Sequence, residues 1–198
     1  MNNDRWLDKW LPLLQQKSTN ESLLELGCGD GRDTSELLSA GCKVIATDIS
    51  SSNLAACAQS ASHANLVQMD NGKLFPFADR SVSVIIASLS LHYFTWEVTM
   101  QIASELKRCV LPGGLLLARF NSTEDYNYGA SSPLEIEPNL LQVGTRTKRF
   151  FDESSVRLFI QGWDIQFLEE NVIYRYEKPK AVWEVMAIHN RLHFTSPS

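Results

Sequence analysis

The chain predicts a doubly wound α/β fold, one sheet of mostly parallel strands with helices packed on both faces. Three observations predict it. Apolar runs too short for helices recur at residues 22–26, 43–49, 66–69, 82–88 and 115–120, with helical spacing between several of them. Strand, helix and strand follow one another within about 30 residues, the length of a right-handed βαβ unit. Gly27, Gly29 and Gly31 stand at alternate positions just after the first run, where a buried strand must turn sharply into a helix.

With 198 residues and 44% hydrophobic content, the chain has apolar mass for a real core, and a single domain over 1–198 is expected. The formal net charge is -5, and the densest basic cluster is Arg146, Lys148 and Arg149. That disfavours a nucleic-acid partner, because nonspecific binding relies on many phosphate contacts. Cys28, Cys42, Cys57 and Cys109 form no Cys-x-x-Cys pair and have no nearby histidines, which predicts reduced thiols and no metal site. The amino-terminal residues lack an apolar leader and no stretch reaches transmembrane length, so a cytoplasmic protein with no membrane partner is expected.

Within residues 4–17, Trp6, Leu7, Trp10, Leu11 and Leu14 fall at helical spacing, predicting an N-terminal helical cap over residues 1–20. Pro12 must break it near Leu11 or begin a second short helix, since proline in a helix interior costs about 3 kcal/mol. The two tryptophans suit packing better than ligand cover.

The strand over residues 22–26 then meets the glycine elbow. Such a bend lets the backbone approach a ligand, and the helix behind it offers unpaired N–H groups. A dinucleotide fingerprint needs a glycine at its sixth position, where Arg32 stands. Glu25 at the strand end would repel a pyrophosphate and suits a ligand carrying an ammonium or sulfonium. Both details favour S-adenosylmethionine. A helix follows over residues 32–40 with Gly41 as its stop. The strand over residues 43–49 ends at Asp48, which the right-handed crossover brings beside the elbow. There it can accept bonds from ribose hydroxyls; capping the helix that starts at Ser50 is the other reading.

The run from Leu23 to Gly31 resembles the first motif of class I S-adenosylmethionine-dependent methyltransferases, of the methyltransferase-type-11 and tellurite-resistance-like kind. Later stretches match that family in order: Asp48, Asp70, the segment from Ser88 to Phe94, and Leu111-Pro112-Gly113-Gly114 before the fifth strand. The matches cover residues 22–120. The resemblance implies a Rossmann-like, doubly wound seven-stranded sheet, mostly parallel with an antiparallel closing strand. It also implies that Glu25, Gly27, Cys28, Gly29 and Gly31 seat the cofactor, that Asp48 takes the ribose and that Asp70 takes the adenine amine. Asn71 can reach a ring nitrogen through its N–H, and Ile49 can pack on the purine. Ser88 and Leu89 would offer carbonyls to the methionine ammonium, with His92 and Tyr93 facing the transferred methyl.

Beyond residue 120 the likeness thins. Residues 121–149 carry Gly129, Pro133, Pro138 and Gly144 with little periodicity, predicting a long substrate loop in which Asn121, Tyr126 and Tyr128 meet the acceptor; a solvated loop ordered by its tyrosines fits equally. Asp152 reads as the N-cap of a helix ending at Gly162. Residues 163–174 and 181–189 read as two further strands, the antiparallel closing pair with which the resembled family finishes its sheet, and His189 and His193 as structural or exposed.

Methyl transfer from a sulfonium needs alignment and exclusion of water, with neither metal nor nucleophilic side chain. His92 is the candidate base and Tyr93 an orienting group. The expected activity is methyl transfer to a small-molecule acceptor. A cofactor-binding regulatory protein, a protein methyltransferase and a nicotinamide-dependent oxidoreductase are the alternatives, the last weakened by Arg32 and Glu25.

Overall fold

A computed structural model describes residues 4–19 and 21–190. His193 lies outside the described residues. The chain runs α1 (Leu11–Lys17), β1 (Leu23–Leu26), α2 (Arg32–Ser39), β2 (Val44–Asp48), α3 (Ser51–Ser60), β3 (Asn65–Gln68), β4 (Val82–Ser88), α4 (Trp96–Cys109) and β5 (Val110–Asn121). It continues through β6 (Glu135–Glu137), β7 (Leu140–Val143), β8 (Arg146–Arg149), α5 (Glu153–Phe159), β9 (Trp163–Ile173) and β10 (Lys180–His189).

Seven strands make one sheet in the order β3-β2-β1-β4-β5-β10-β9. The pairs among β1 to β5 are parallel, and β10 runs antiparallel to both β5 and β9. This is the Rossmann-like sheet the sequence predicts. Leu23, Val84, Ile86, Leu115 and Leu117 bury one face against α1, α2 and α3, while Leu24, Leu26, Ile85, Leu116 and Phe120 bury the other against α4 and α5. Burial on both faces is why these strands read as continuous apolar runs. The winding direction reverses between β1 and β4, and a sheet of this kind opens a crevice at the carboxyl ends of the two strands flanking that reversal.

Pro12 stands in the first turn of α1, and residues 6–10 form turns before it, the break the proline requires. Asp152 caps α5 with a reciprocal capping box through Ser155. Two expectations change. Leu111-Pro112-Gly113-Gly114 lies inside β5 as an irregularity in its pairing with β4, so the strand begins at Val110. Residues 121–149 are not one long loop, because β6, β7 and β8 pair as a separate three-stranded antiparallel sheet. Arg149 anchors that sheet, donating to Glu137, to Phe94 O at 3.0 Å and to Pro138 O at 3.1 Å. No helix among the described residues is long and apolar enough to cross a membrane.

Candidate functional site

At the crevice Gly27, Gly29 and Gly31 all have positive φ, at 72°, 56° and 84°. A side chain on Gly27 would put its Cβ 2.4 Å from Ser90 Cβ, so the turns after β1 and β4 touch there. Nothing lies within 4 Å of the corresponding position on Gly29. Gly27 and Gly29 help to line a cavity of about 950 Å³.

Asp48 ties this bend to β2. Its Oδ2 accepts from Gly29 N at 3.0 Å, and its Oδ1 accepts from Ser50 N at 2.9 Å and Asn53 Nδ2 at 3.2 Å. Capping of α3 falls to Ser50, which accepts from Asn53 N at 3.3 Å. Asp48, Ile49, Asp70 and Asn71 line the cavity together. Asp70 Oδ1 accepts from Gly72 N at 2.8 Å, and Asn71 Oδ1 is buried without a partner. Ile49 is 61% exposed although large and apolar.

The far wall is Leu89, Ser90, Tyr93 and Phe94, and the tip of the small sheet, Thr145, Arg146 and Thr147, overhangs the opening. Leu89 holds φ at 55°, a left-handed conformation that costs a non-glycine residue about 1–2 kcal/mol. Sequence reasoning gave Ser90 no role of its own and placed residues 145–147 in the acceptor loop rather than at this cavity. Strand periodicity says nothing of a tip brought in by a second sheet.

Other residues singled out from the sequence lie behind the cavity. Glu25 is 4% exposed, bonds Thr34 Oγ1 at 2.6 Å, and has its pKa raised to about 8, first by burial and further by Asp33 and Asp48. Cys28 is buried, and burial pushes its thiol up. Ser88 Oγ accepts from Arg119 Nε at 3.0 Å and Nη2 at 2.7 Å. Arg119, missed entirely, is fully buried on the face of Leu115 and Leu117, pairs with Asp4 at 2.6 Å and stacks on Trp6. Trp6 Nε1 in turn donates to Asp33 Oδ2 at 2.9 Å, so the first tryptophan packs rather than facing solvent.

His92 is 5% exposed, stacks on Tyr93 at 4.1 Å, and is not among the cavity's lining residues. Its pKa falls to about 3, mostly by burial and then by Lys180 and Lys148. Held there, the imidazole is neutral near pH 7 and is a hydrogen-bonding group rather than an efficient base. Asn121 is completely buried with both side-chain polar atoms unpartnered. Tyr128 packs against Tyr176 and exchanges hydrogen bonds with the Lys178 backbone, while Tyr126 is 59% exposed and donates to Glu124, away from the cavity. His189 packs on Trp163.

Residues 24–118 match a family model described as a methyltransferase domain. Comparison with curated proteins by sequence gives no match. Among solved structures, an S-adenosylmethionine-dependent methyltransferase from Methanosarcina mazei is 17% identical, with 90% of this chain and 97% of that one covered and a TM-score of 0.74. TehB from Haemophilus influenzae is 15% identical, with 92% and 62% covered and a TM-score of 0.68. The 1,6-didemethyltoxoflavin-N1-methyltransferase of Burkholderia thailandensis, solved with 1,6-didemethyltoxoflavin and S-adenosylhomocysteine bound, is 16% identical, with 95% and 82% covered and a TM-score of 0.68. At these identities the likeness is one of fold.

Proposed function

From the match of residues 24–118 to a methyltransferase-domain model, we propose that the chain is a methyltransferase of that family, binds S-adenosylmethionine in the crevice between β1 and β4 and methylates a small molecule. The observation that carries the reading is the cavity itself, where an open glycine, two carboxylates from successive strand ends and an exposed isoleucine converge. The donors and acceptors fit the ligand. Asp48 has the place and charge to accept ribose hydroxyls, Asp70 to accept the adenine amine, and Asn71 to serve a ring nitrogen; Ile49 covers the purine face. Gly29 leaves room for close approach of the sugar and methionine. Leu89 presents its backbone toward the methionine end.

When bound, the cofactor supplies a methyl group already activated by positive sulfur. What remains for the protein is to align the acceptor and exclude water. Glu25, beneath the elbow, becomes a full counter-charge when a cation sits above it, because an opposite charge favours its ionised form. Tyr93 orients the acceptor, and neutral His92 packs against the Tyr93 ring. Ser88 acts through Arg119, whose guanidinium it fixes at the end of β5. We further propose that residues 1–198 act as one unit, with the N-terminal segment covering the sheet and residues 121–149 walling the acceptor side.

Production of S-adenosylhomocysteine by the purified chain tests this. Turnover with at least one small acceptor, and none with unfolded or native protein acceptors, is expected. Cofactor binding with no turnover over a broad panel of both would favour a regulatory binding role instead.

A further inference from the structure

The cavity's lining residues outside those proposed for the cofactor include Tyr93, Thr145, Arg146 and Thr147 at its mouth. At about 950 Å³ the cavity stands at the upper end of the range for one small ligand, which leaves room for an acceptor beside the cofactor. Arg146 is the only cation among the described residues that line it. Among the described residues no carboxylate pairs with Arg146, whereas Arg149 pairs with Glu137 and Lys180 with Asp125. The turn that presents Arg146 is short and braced. Val143 pairs with Arg146 across it, Gly144 takes a φ of 61°, and Gln142 Nε2 donates to Gly144 O at 2.9 Å. The backbone under the guanidinium is thereby fixed.

The chemistry at the mouth is one-sided. Arg146 and Tyr93 hydrogen-bond through their side chains. A guanidinium has no acceptor, so it donates and the phenol oxygen accepts, which leaves the Tyr93 O–H to donate elsewhere. Burial raises the phenol above its ordinary value despite Arg146, so that proton is kept near pH 7. Buried His92 stacks on the Tyr93 ring at 4.1 Å and holds it in place. Asp48, the acid that acts on Tyr93, already accepts from Gly29 N, Ser50 N and Asn53 Nδ2. What faces an incoming molecule is a set of donors around a cation with no counter-charge. Such a set fits a group that only accepts.

Resting on the cofactor reading above, we propose that the methyl acceptor is a small organic anion whose carboxylate or phosphate is held by Arg146 and the Tyr93 hydroxyl, away from the atom that is methylated. Arg146 presents a planar fork that takes two oxygens of such a group at once. The positive sulfur of the donor and Arg146 both attract an anion, and both repel an amine that is cationic near pH 7.

The test uses the full chain saturated with S-adenosylhomocysteine and ligand-observed NMR with benzoate and phenyl phosphate, against benzyl alcohol and benzylamine. At least one anion should bind more tightly than the alcohol and the amine, and which anion binds separates carboxylate from phosphate. Arg146→Gln should weaken that anion about ten-fold or more. The substitution leaves the small sheet in place, so S-adenosylhomocysteine affinity should stay within about three-fold and the melting temperature within about two degrees. Anions bound no better than the alcohol or the amine, no anion bound by protein that holds S-adenosylhomocysteine, or anion binding untouched by Arg146→Gln would overturn the proposal while sparing the cofactor reading. Failure to hold S-adenosylhomocysteine at all would remove both.

Discussion

Glu25 joins sequence, burial and function at a single side chain. Its place at the strand end was legible from the residues, as was its sign. Its depth was not, because four buried residues in β1 give no alternation from which to read a face. With its pKa near 8, the carboxyl is largely protonated at pH 7, and a cation bound above it should expel that proton. Calorimetry of cofactor binding in buffers of different ionisation enthalpy should therefore report proton release near pH 7, and Glu25→Gln should abolish it. The glycines separate in the same way. Gly29→Ala should fold, at a cost of about 1–2 kcal/mol for its left-handed backbone, yet lose cofactor affinity because the position lines the cavity. Gly31→Ala, whose Cβ would sit 2.6 Å from Cys57 Sγ, should mainly destabilise the protein and lower its melting temperature. Asn121 and Arg119 could be named from the sequence only as residues near a strand end; that one is unpaired and the other stacked under Trp6 depends on β10 and the N-terminal segment arriving from distant parts of the chain.

Elements defined by local chemistry were the readable ones. Pro12 set the start of α1, Asp152 the start of α5, and the β-branched run over residues 82–88 a strand buried on both faces. Asp152→Ala should cost about 1 kcal/mol in chemical denaturation, since the capping box is lost, and leave cofactor affinity unchanged. The small sheet was unreadable for a physical reason. Its strands are only three or four residues long, half exposed and broken by turns, so neither period nor β-branched content marks them. Its order comes instead from Arg149, a buried cation that donates to Glu137 and to the Phe94 and Pro138 carbonyls. Because this sheet carries Arg146 over the cavity, Arg149→Leu should weaken cofactor binding without unfolding the main sheet, a split that paired binding and melting measurements would detect.

At the scale of the whole molecule, two buried groups set opposing slopes of stability with pH. His92 is held neutral, with a folded pKa near 3 against an ordinary 6.5, so the unfolded chain binds its proton more readily and stability falls as pH drops from 6.5 towards 3. Glu25 holds its proton more tightly when folded, so the stability it contributes is complete below 4.5 and is lost as pH rises towards 8. Glu36, raised to about 7 by burial and Asp8, adds in the same direction. Denaturation across pH should thus show greatest stability near 4.5 and a loss below it from His92. From 4.5 to 6.5 the loss should be shallow, because the His92 and Glu25 slopes offset each other and Glu36 remains, and above 6.5 it should steepen. The His92 and Glu25 slopes should each approach about 1.4 kcal/mol per pH unit. Glu25→Gln should flatten the alkaline side and His92→Gln the acid side.

Strand order and the switch point between β1 and β4 bring Gly29, Asp48 and Asp70, the residues proposed to hold the cofactor, to one cavity from three separate stretches of sequence. Titration of S-adenosylhomocysteine into the folded chain tests that convergence most directly. Saturable one-site heat is expected, with a stabilisation of about 2.7 kcal/mol at a hundred-fold excess over Kd and a loss of affinity in Asp48→Ala. A folded protein that gives neither heat nor a melting shift, or one whose binding is indifferent to Asp48→Ala, would contradict it.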